Sequence, residues 1–417
     1  EKIYNSVTIA EPMLRGDFSS VRKSITDPAG GPPFPNNQIP AARFSGASRF
    51  FFHHVLLPNA PDQRFRGVAP DKQDVRELMI RIDHNFSSNH RLYGRWLNHQ
   101  FNTLASDYRP EVLSIGDTPQ HNVGLNYSWT LNPSTLLSLS SGYVRSVNKF
   151  NSNMVGTSNL TQEAGIQGIP TAGREEAVGL PEITFTGYQG ITLPWGVPGR
   201  LWMETQDHKA GLNSMRGRHT ISFGGEFNNR STFGRHASRA ARGAFAFNGQ
   251  YTGDGFADYL LGLVQGAQRN YPIHTFGMKD SPYVGLYFQD FLKVTPRLTL
   301  NLGARLDYWL KKSHVRGMAV GFDPERGLVV ADLNKKGELD LTGQPVAPYL
   351  AKATQGLWIT AKEAGWPLGL WWPDAVLTPK LGFAWRPART GDWVIRGGYG
   401  IYPHLLVGNR TSSAIDG

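Results

Sequence analysis

Apolar and polar residues alternate with a period of two along several stretches of this chain. In one of them Leu298, Leu300, Leu302, Ala304, Leu306, Tyr308 and Leu310 share one face. Thr299, Asn301, Gly303, Arg305, Asp307 and Trp309 share the other. A period of two over this length predicts a strand with one apolar and one polar side. In 283–293, Val284, Leu286, Phe288 and Leu292 stand opposite Tyr287, Gln289 and Lys293. Similar series run through Leu78, Ile80, Ile82 and Phe86, through Val123, Leu125, Tyr127 and Trp129, and through Ile221, Phe223 and Phe227. Leu381, Phe383 and Trp385, then Trp393, Ile395, Tyr399 and Ile401, complete the set. The weakest strand is 201–213, which is polar on both faces.

These strands pair into five hairpins at roughly 78–100, 121–145, 201–230, 282–310 and 379–402. Inside each hairpin the connection is a few residues, such as Asn132-Pro133-Ser134 or Thr295-Pro296-Arg297. Proline fits a turn and not a central ladder. Between hairpins the expected loops are 101–120, 146–200, 231–281 and 311–378. An up-and-down sheet places successive connections at opposite ends. Short turns therefore gather at one end and long loops at the other. Outer-membrane barrels have this asymmetry, with short periplasmic turns and long external loops. The predicted class is all-β, an antiparallel up-and-down transmembrane barrel of ten to twelve recognisable strands. Its polar face would line a wet lumen, where Arg81, Asp83, Arg95, Glu226, Arg305, Asp307 and Arg396 are the candidate solute-facing charges. A soluble sandwich would instead turn the apolar face to a second sheet. Tyr127 with Trp129, Tyr308 with Trp309, Trp385 and Trp393 lie near strand ends, as interfacial aromatic belts do.

Composition adds boundaries. The 417 residues are 40% hydrophobic, with 47 glycines and no cysteine. No apolar run approaches the 18 residues of a membrane-spanning helix. That does not weigh against a barrel, whose strands need one apolar face only. The chain opens at Glu1 without a basic and apolar leader, so the sequence is expected to be mature, trimmed or partial. A net charge of +10 suits anionic lipid headgroups, and no nucleic-acid-binding module accompanies it. No nucleophile elbow or Gly-Lys-Ser phosphate loop occurs, so neither an enzyme nor a cofactor is expected. Gly-rich Arg396 to Gly400 reads as strand packing. His84, His90, His99 and His121 fall on neighbouring strands, but no metal-ligand spacing supports a metal site.

Two loop features invite ligands. Arg230, Arg235, Arg239 and Arg242, with His236, lie in a stretch without an acid between Glu226 and Asp254. Arginine forks bind phosphate and carboxylate, so lipopolysaccharide phosphate or an anionic solute would dock there; a solvated basic loop is the plainer reading. Trp358, Trp366, Trp371 and Trp372 lie in the loop 311–378. They would fold into a cap or capture sugar or peptide.

Several segments carry a family resemblance. They are Tyr287-Phe288-Gln289-Asp290 with Lys293-Val294-Thr295-Pro296-Arg297-Leu298, Ile82-Asp83-His84-Asn85-Phe86, Phe256-Ala257-Asp258-Tyr259-Leu260-Leu261-Gly262 and Pro379-Lys380-Leu381-Gly382-Phe383. Their order and spacing resemble TonB-dependent outer-membrane receptors, in the Oar-like subgroup with a carboxypeptidase-regulatory-like N-terminal domain. The family usually has another acid and then Trp after the Gln-Asp pair, where this chain has Phe291-Leu292. The resemblance implies uptake of an unknown solute through a barrel of about twenty-two strands filled by a plug. The TonB complex would supply the energy. The plug and the TonB-engaging segment are expected outside this chain, and the five hairpins cover only part of such a barrel. An open sheet would leave two unpaired edges in lipid, so further strands are expected. In this reading 1–76 is an external loop-like segment, 77–402 holds the barrel hairpins, and 403–417 starts another loop. The partners would be outer-membrane lipid and lipopolysaccharide, in a bacterial outer membrane. The alternative is a structural or adhesive surface protein that transports nothing.

Overall fold

Ten strands of an eleven-stranded antiparallel sheet follow one another in strict chain order, and the eleventh, Ser313–Arg316, pairs off this path with the 273–295 strand. The ten are β1 (Asp71–Ser87), β2 (His90–Asp107), β3 (Arg109–Asn132), β4 (Thr135–Ser152), β5 (Gly199–Arg216), β6 (His219–Ala237), β7 (Ile273–Thr295), β8 (Leu298–Trp309), β9 (Asp374–Trp385) and β10 (Ile395–Gly400). This computed structural model describes residues 2–402, apart from 70, 108, 157, 170–177, 194–196, 238–239, 270–272, 311–312, 317–319, 332–355, 367–373 and 389–392. Among the described residues, β1 and β10 each pair with one neighbour, so the sheet is an open section of a barrel wall.

Burial along the strands is inverted relative to a soluble protein. On β8, Leu302, Leu306 and Tyr308 are exposed, while Asp307 and Trp309 on the other face are buried. On β7, Leu286 and Phe288 are half exposed. Leu78, Ile80 and Ile82 on β1, Val123 and Leu125 on β3, and Leu377, Leu381 and Phe383 on β9 are exposed as well. The register places these residues side by side: Leu286 pairs with Leu306, Leu306 with Leu377, and Leu302 with Leu381. So large a continuous apolar surface is not stable in water. It matches the outward apolar band of a transmembrane barrel.

The turn end is built from short local hydrogen bonds. Ser87 Oγ accepts from Asn89 N at 3.2 Å. Asn132 Oδ1 accepts from Ser134 N at 3.0 Å, which closes an Asx turn around Pro133. Thr295 Oγ1 accepts from the amides of Arg297 and Leu298. Gly217 supplies the left-handed residue between β5 and β6, with φ +58.

At the other end the strands run further than expected. The expected loop 101–120 is not a loop. β2 and β3 pair continuously across it, from Phe101↔Thr118 to Ser106↔Leu113. The segment contains prolines at 110 and 119. Pro119 keeps its place opposite Gln100 on β2, while the pairing of β3 with β4 stops at Asp117↔Lys149 and resumes at Gln120↔Ser146. A residue without an N–H is tolerated where one ladder is interrupted. The other loops are also shorter than expected, because strand continues to Ser152 and Ala237 and resumes already at Ile273 and Asp374. The 201–213 segment is a full strand, paired on both sides along β5 despite its two polar faces. The first long strand begins at Asp71, where the polar sequence Asp-Lys-Gln-Asp hides any alternation.

The loop end carries a second, ordinary core. Ile9, Met13, Phe18, Ile25, Ile39 and Phe51 pack with Leu180, Ile183 and Phe185, and with Phe247, Phe256, Tyr259 and Leu260. Three distant segments thus fold into one cap. A two-stranded sheet pairs Lys2–Val7 with Arg64–Ala69. A four-stranded sheet unites Gly266–Gln268, Ala244–Phe247, Glu182–Phe185 and Tyr188–Ile191. Its helix Gly255–Leu261 starts at Asp254, whose carboxylate accepts from the amides of Phe256 and Ala257. Gly262 ends it at φ 72. Tyr259 Oη donates to Ser48 O at 2.7 Å, which ties the helix to the N-terminal segment.

Candidate functional site

The polar face of the sheet is an ordered wall, because side chains at directly paired positions share a face. One transverse row runs Arg81, Arg95, Gly124, Gly142, Asp207, Asn228, Tyr283 and Trp309. The next row toward the turns runs Asp83, Tyr93, Asn126, Ser140, Lys209, Glu226, Gly285 and Asp307. A third carries Tyr287 and Arg305. Six of the sequence-derived candidates, Arg81, Asp83, Arg95, Glu226, Arg305 and Asp307, therefore fall in three adjacent rows of one face.

Two charge clusters stand on this wall. In the first, Arg305 Nε donates to Asp307 Oδ1 at 2.7 Å, and Arg305 Nη2 reaches Glu226 Oε1 and Tyr283 Oη. Tyr283 Oη lies 2.7 Å from both Glu226 Oε1 and Asp307 Oδ1. Lys209 Nζ approaches Glu226 at 3.8 Å and Asp207 at 3.2 Å. Asn228 Nδ2 donates to Asp207 at 3.2 Å. Gly285 makes this possible, since a Cβ there would meet Arg305 Nη2 and Tyr283 Oη. The cluster spans β5 to β8 and satisfies its own charges.

The second cluster does not. Arg81 grips Asp83 through Nε and Nη2, both at 2.7 Å, and stacks 4.2 Å from the Tyr93 ring centroid. Arg95 stands directly opposite Arg81 and lies over Gly124. Like charges in directly opposed positions repel. Among the described residues, Arg95 has no acidic partner.

The other candidates scatter. Arg396 shares the lumen face near the turn end, in register with Ala384, which pairs with Thr299. Arg235 belongs to the outward face. Arg239 lies outside the described residues. Arg242 is no surface docking group: it is buried in the cap, donating to Leu180 O at 3.2 Å and Val197 O at 3.0 Å. Burial pushes its guanidinium down to about 10, and Glu182 opposes this in part.

The histidines go to separate partners. His90 Nδ1 meets Tyr127 Oη at 2.6 Å, His99 meets Glu77 at 3.3 Å, His121 stacks on Trp96, and His84 contacts Phe86. No metal-type group of three occurs among the described residues. Trp129 and Trp385 are exposed at the turn end as belt residues would be, but Trp309 is buried on the lumen side. Trp366 packs against a small core of Val330, Ala361 and Ala364. Trp371 and Trp372 lie outside the described residues. Sequence reasoning missed Lys209, Tyr283, Tyr93 and Asp207. Only cross-strand register reveals them, and the signal available was a glycine, Gly285, set among large polar neighbours.

Residues 2–416 match the model of a family described as outer membrane beta barrel domain. The chain belongs to this family. Its place is accordingly the bacterial outer membrane, and the exposed apolar band is its lipid-facing surface. No curated protein matches the sequence. Solved structures similar to it include "Copper transporter OprC", at 8% identity and TM-score 0.41, covering 81% of this chain and 38% of that one. The ferric-catecholate import receptor Fiu of E. coli K12, in its open form, shows 12% identity and TM-score 0.42, covering 79% and 47%. The ferric citrate transporter FecA, unliganded, shows 10% and 0.31, covering 76% and 33%. The chain spans less than half the length of each of these three structures.

Proposed function

We propose that these strands are barrel wall of an outer-membrane receptor that takes up a solute, with energy supplied through TonB. The observation that carries this reading is the division of the sheet: an apolar face made for lipid, and an opposite face lined by ordered charges. The order of the receptor-like hairpin motifs along the chain supports it. The Arg305–Glu226–Asp307–Tyr283 cluster braces the wall, since it leaves little charge to offer a ligand. Arg95, with Arg81 beside it, is the solute- or plug-facing charge. The open edges of β1 and β10 need partner strands in a bilayer. A plug and a TonB-engaging segment complete the receptor, and no covalent chemistry is involved.

An adhesive or structural surface role is the second reading. The cap favours it, because its loops close on their own apolar core. A strain lacking the protein separates the two. Uptake predicts at least one medium component whose depletion by cells requires the protein and stops with a protonophore. Normal depletion of every component, with loss of surface attachment, favours adhesion.

A further inference from the structure

The turn end of the wall gathers cations with almost no acid. Arg216 and Arg218 flank Gly217 between β5 and β6, Arg297 closes the turn between β7 and β8, and Arg386 follows β9. Lys293 and Arg396 stand just inside, in one lumen-side row that runs through Thr299 and Ala384. Backbone hydrogen bonds set these groups against one another. The Lys293 amide donates to Arg218 O at 2.8 Å, and the Arg386 amide donates to Arg297 O at 2.8 Å. Two pairs of like charges are therefore directly opposed on neighbouring strands, an arrangement that repels itself without an anion to bridge it. Among the described residues of these three turns the acid is Asp290, and His219 Nδ1 meets it at 2.6 Å. Arg218 Nη1 donates to the Val294 carbonyl at 3.1 Å, a neutral partner that leaves its charge in place. The two earlier turns, Ser87-Ser88-Asn89 and Asn132-Pro133-Ser134, hold no charged residue. The loop end differs again: there Arg15 pairs with Glu11, Arg43 with Asp27 and Arg66 with Asp62.

Position and spacing select the partner. Leu298 and Trp385 form the last outward pair above the β7–β8 turn. Arg297 and Arg386 come one residue later and so face away from lipid, as Lys293 and Arg396 do on the lumen face. The wall stands between these four groups and the headgroups of the membrane. Successive basic turns are two strands apart, so the three spread their cations over ~20 Å at the usual strand spacing. Arg216, Arg218 and Arg386 are exposed, and an exposed ion pair is worth little by itself. A small anion would gain one weak contact, whereas a polymer with repeated carboxylates gains several at once. Beneath a bacterial outer membrane the polymer of that chemistry is the cell wall, whose stem peptides carry free carboxylates.

We propose that the basic rim of Arg216, Arg218, Arg297 and Arg386, with Lys293 and Arg396 inside it, docks the protein on peptidoglycan through the carboxylates of the stem peptides. The contact is independent of any transported solute. It rests on the membrane orientation proposed above, with the turn end in the periplasm.

The test uses the full chain in detergent micelles, with purified peptidoglycan sacculi and carboxyl-amidated sacculi as probes. The parent protein should sediment with the native sacculi and not with the amidated ones, and added salt should release it. Arg216→Gln, Arg218→Gln, Arg297→Gln and Arg386→Gln combined should weaken binding by at least about tenfold, because several weak contacts are lost together. Removal of as many charges at the loop end, by Arg15→Gln, Arg22→Gln, Lys23→Gln and Arg66→Gln, should leave binding unchanged. If the rim variant does not fold, the parent's preference between the two kinds of sacculi decides. Equal sedimentation with both, or equal weakening by the two sets of substitutions, overturns the proposal. Parent binding to poly-glutamate or to phosphatidylglycerol vesicles as tight as to native sacculi overturns it in favour of an acidic protein or lipid. Labelling of Ser88→Cys in intact cells by an impermeant thiol reagent overturns the orientation, and the proposal with it.

Discussion

The barrel wall and the loop-end cap obey opposite packing rules within one chain. In the cap, Phe256, Phe18 and Leu260 are fully buried, and the polar groups buried beside them, such as Asp258 and Arg242, are hydrogen-bonded within the cap. In the wall, Phe288 and Leu286 are half exposed while Asp307 is buried. The residue types are the same and the surroundings differ. Apolar area leaves water in both regions, into a protein core in one and into lipid in the other. The wall gains its order from cross-strand charge networks, and the cap from an aromatic core in which Phe185 contacts Phe256 at 5.4 Å and Tyr259 at 4.8 Å.

The largest effect should come from the cap core. Phe256→Ala should cost about 3–5 kcal/mol of cap stability. Limited proteolysis should then cut 238–272 rapidly while the strands stay protected. Equal loss of wall and cap would show that the two are one cooperative unit.

Phe288→Arg probes the other side of the comparison. In a soluble sheet a half-exposed site would accept arginine with little change. Near the middle of a lipid-facing band the substitution should cost about 2–4 kcal/mol, read as a lower denaturation midpoint in vesicles. A cost under about 0.5 kcal/mol, the ordinary surface value, would break the lipid assignment.

Arg305→Met should cost about 1–3 kcal/mol, because it leaves Glu226 and Asp307 without their shared cation. Asp83→Asn should cost less, since the Arg81–Asp83 pair is exposed on both sides. Equal costs would mean that the first cluster is not a brace.

The smallest effect concerns acid. The hydrogen bonds from Arg43 and from the Ala29 amide hold the Asp27 carboxyl below its ordinary range in the cap. A depressed folded pKa adds stability above the unfolded value, ~3.9. That stability disappears as pH falls through the folded value. Protease resistance of the N-terminal segment should therefore decline below about pH 4, and less so in Asp27→Asn. An identical acid response in the variant would remove Asp27 from the account.

The alternation on β7 and β8 made the strands and their two faces legible, because a one-sided environment writes a period of two. It also picked out Arg81, Asp83, Arg95, Glu226, Arg305 and Asp307 as wall charges. The strands through 101–120 were hidden by Pro110 and Pro119, since local chemistry does not reveal which ladder tolerates a missing donor. The cap was hidden because its core joins residues as distant as Phe18 and Phe256. Arg242 looked like a surface cation, and only tertiary contacts show that carbonyls of Leu180 and Val197 hold it inside. Lys209 and Tyr283 were invisible for the same reason: register is set by pairing, not by sequence neighbours.

The chain has no cysteine, so single substitutions allow the two faces of one strand to be read directly in vesicles. Leu302→Cys and Asn301→Cys are adjacent on β8 and face opposite ways. A spin label at Leu302→Cys should be quenched by a lipid-phase paramagnetic reagent, and one at Asn301→Cys by a water-soluble reagent. The reverse pattern, or aqueous access to both, would contradict a wall that turns its apolar face to the membrane.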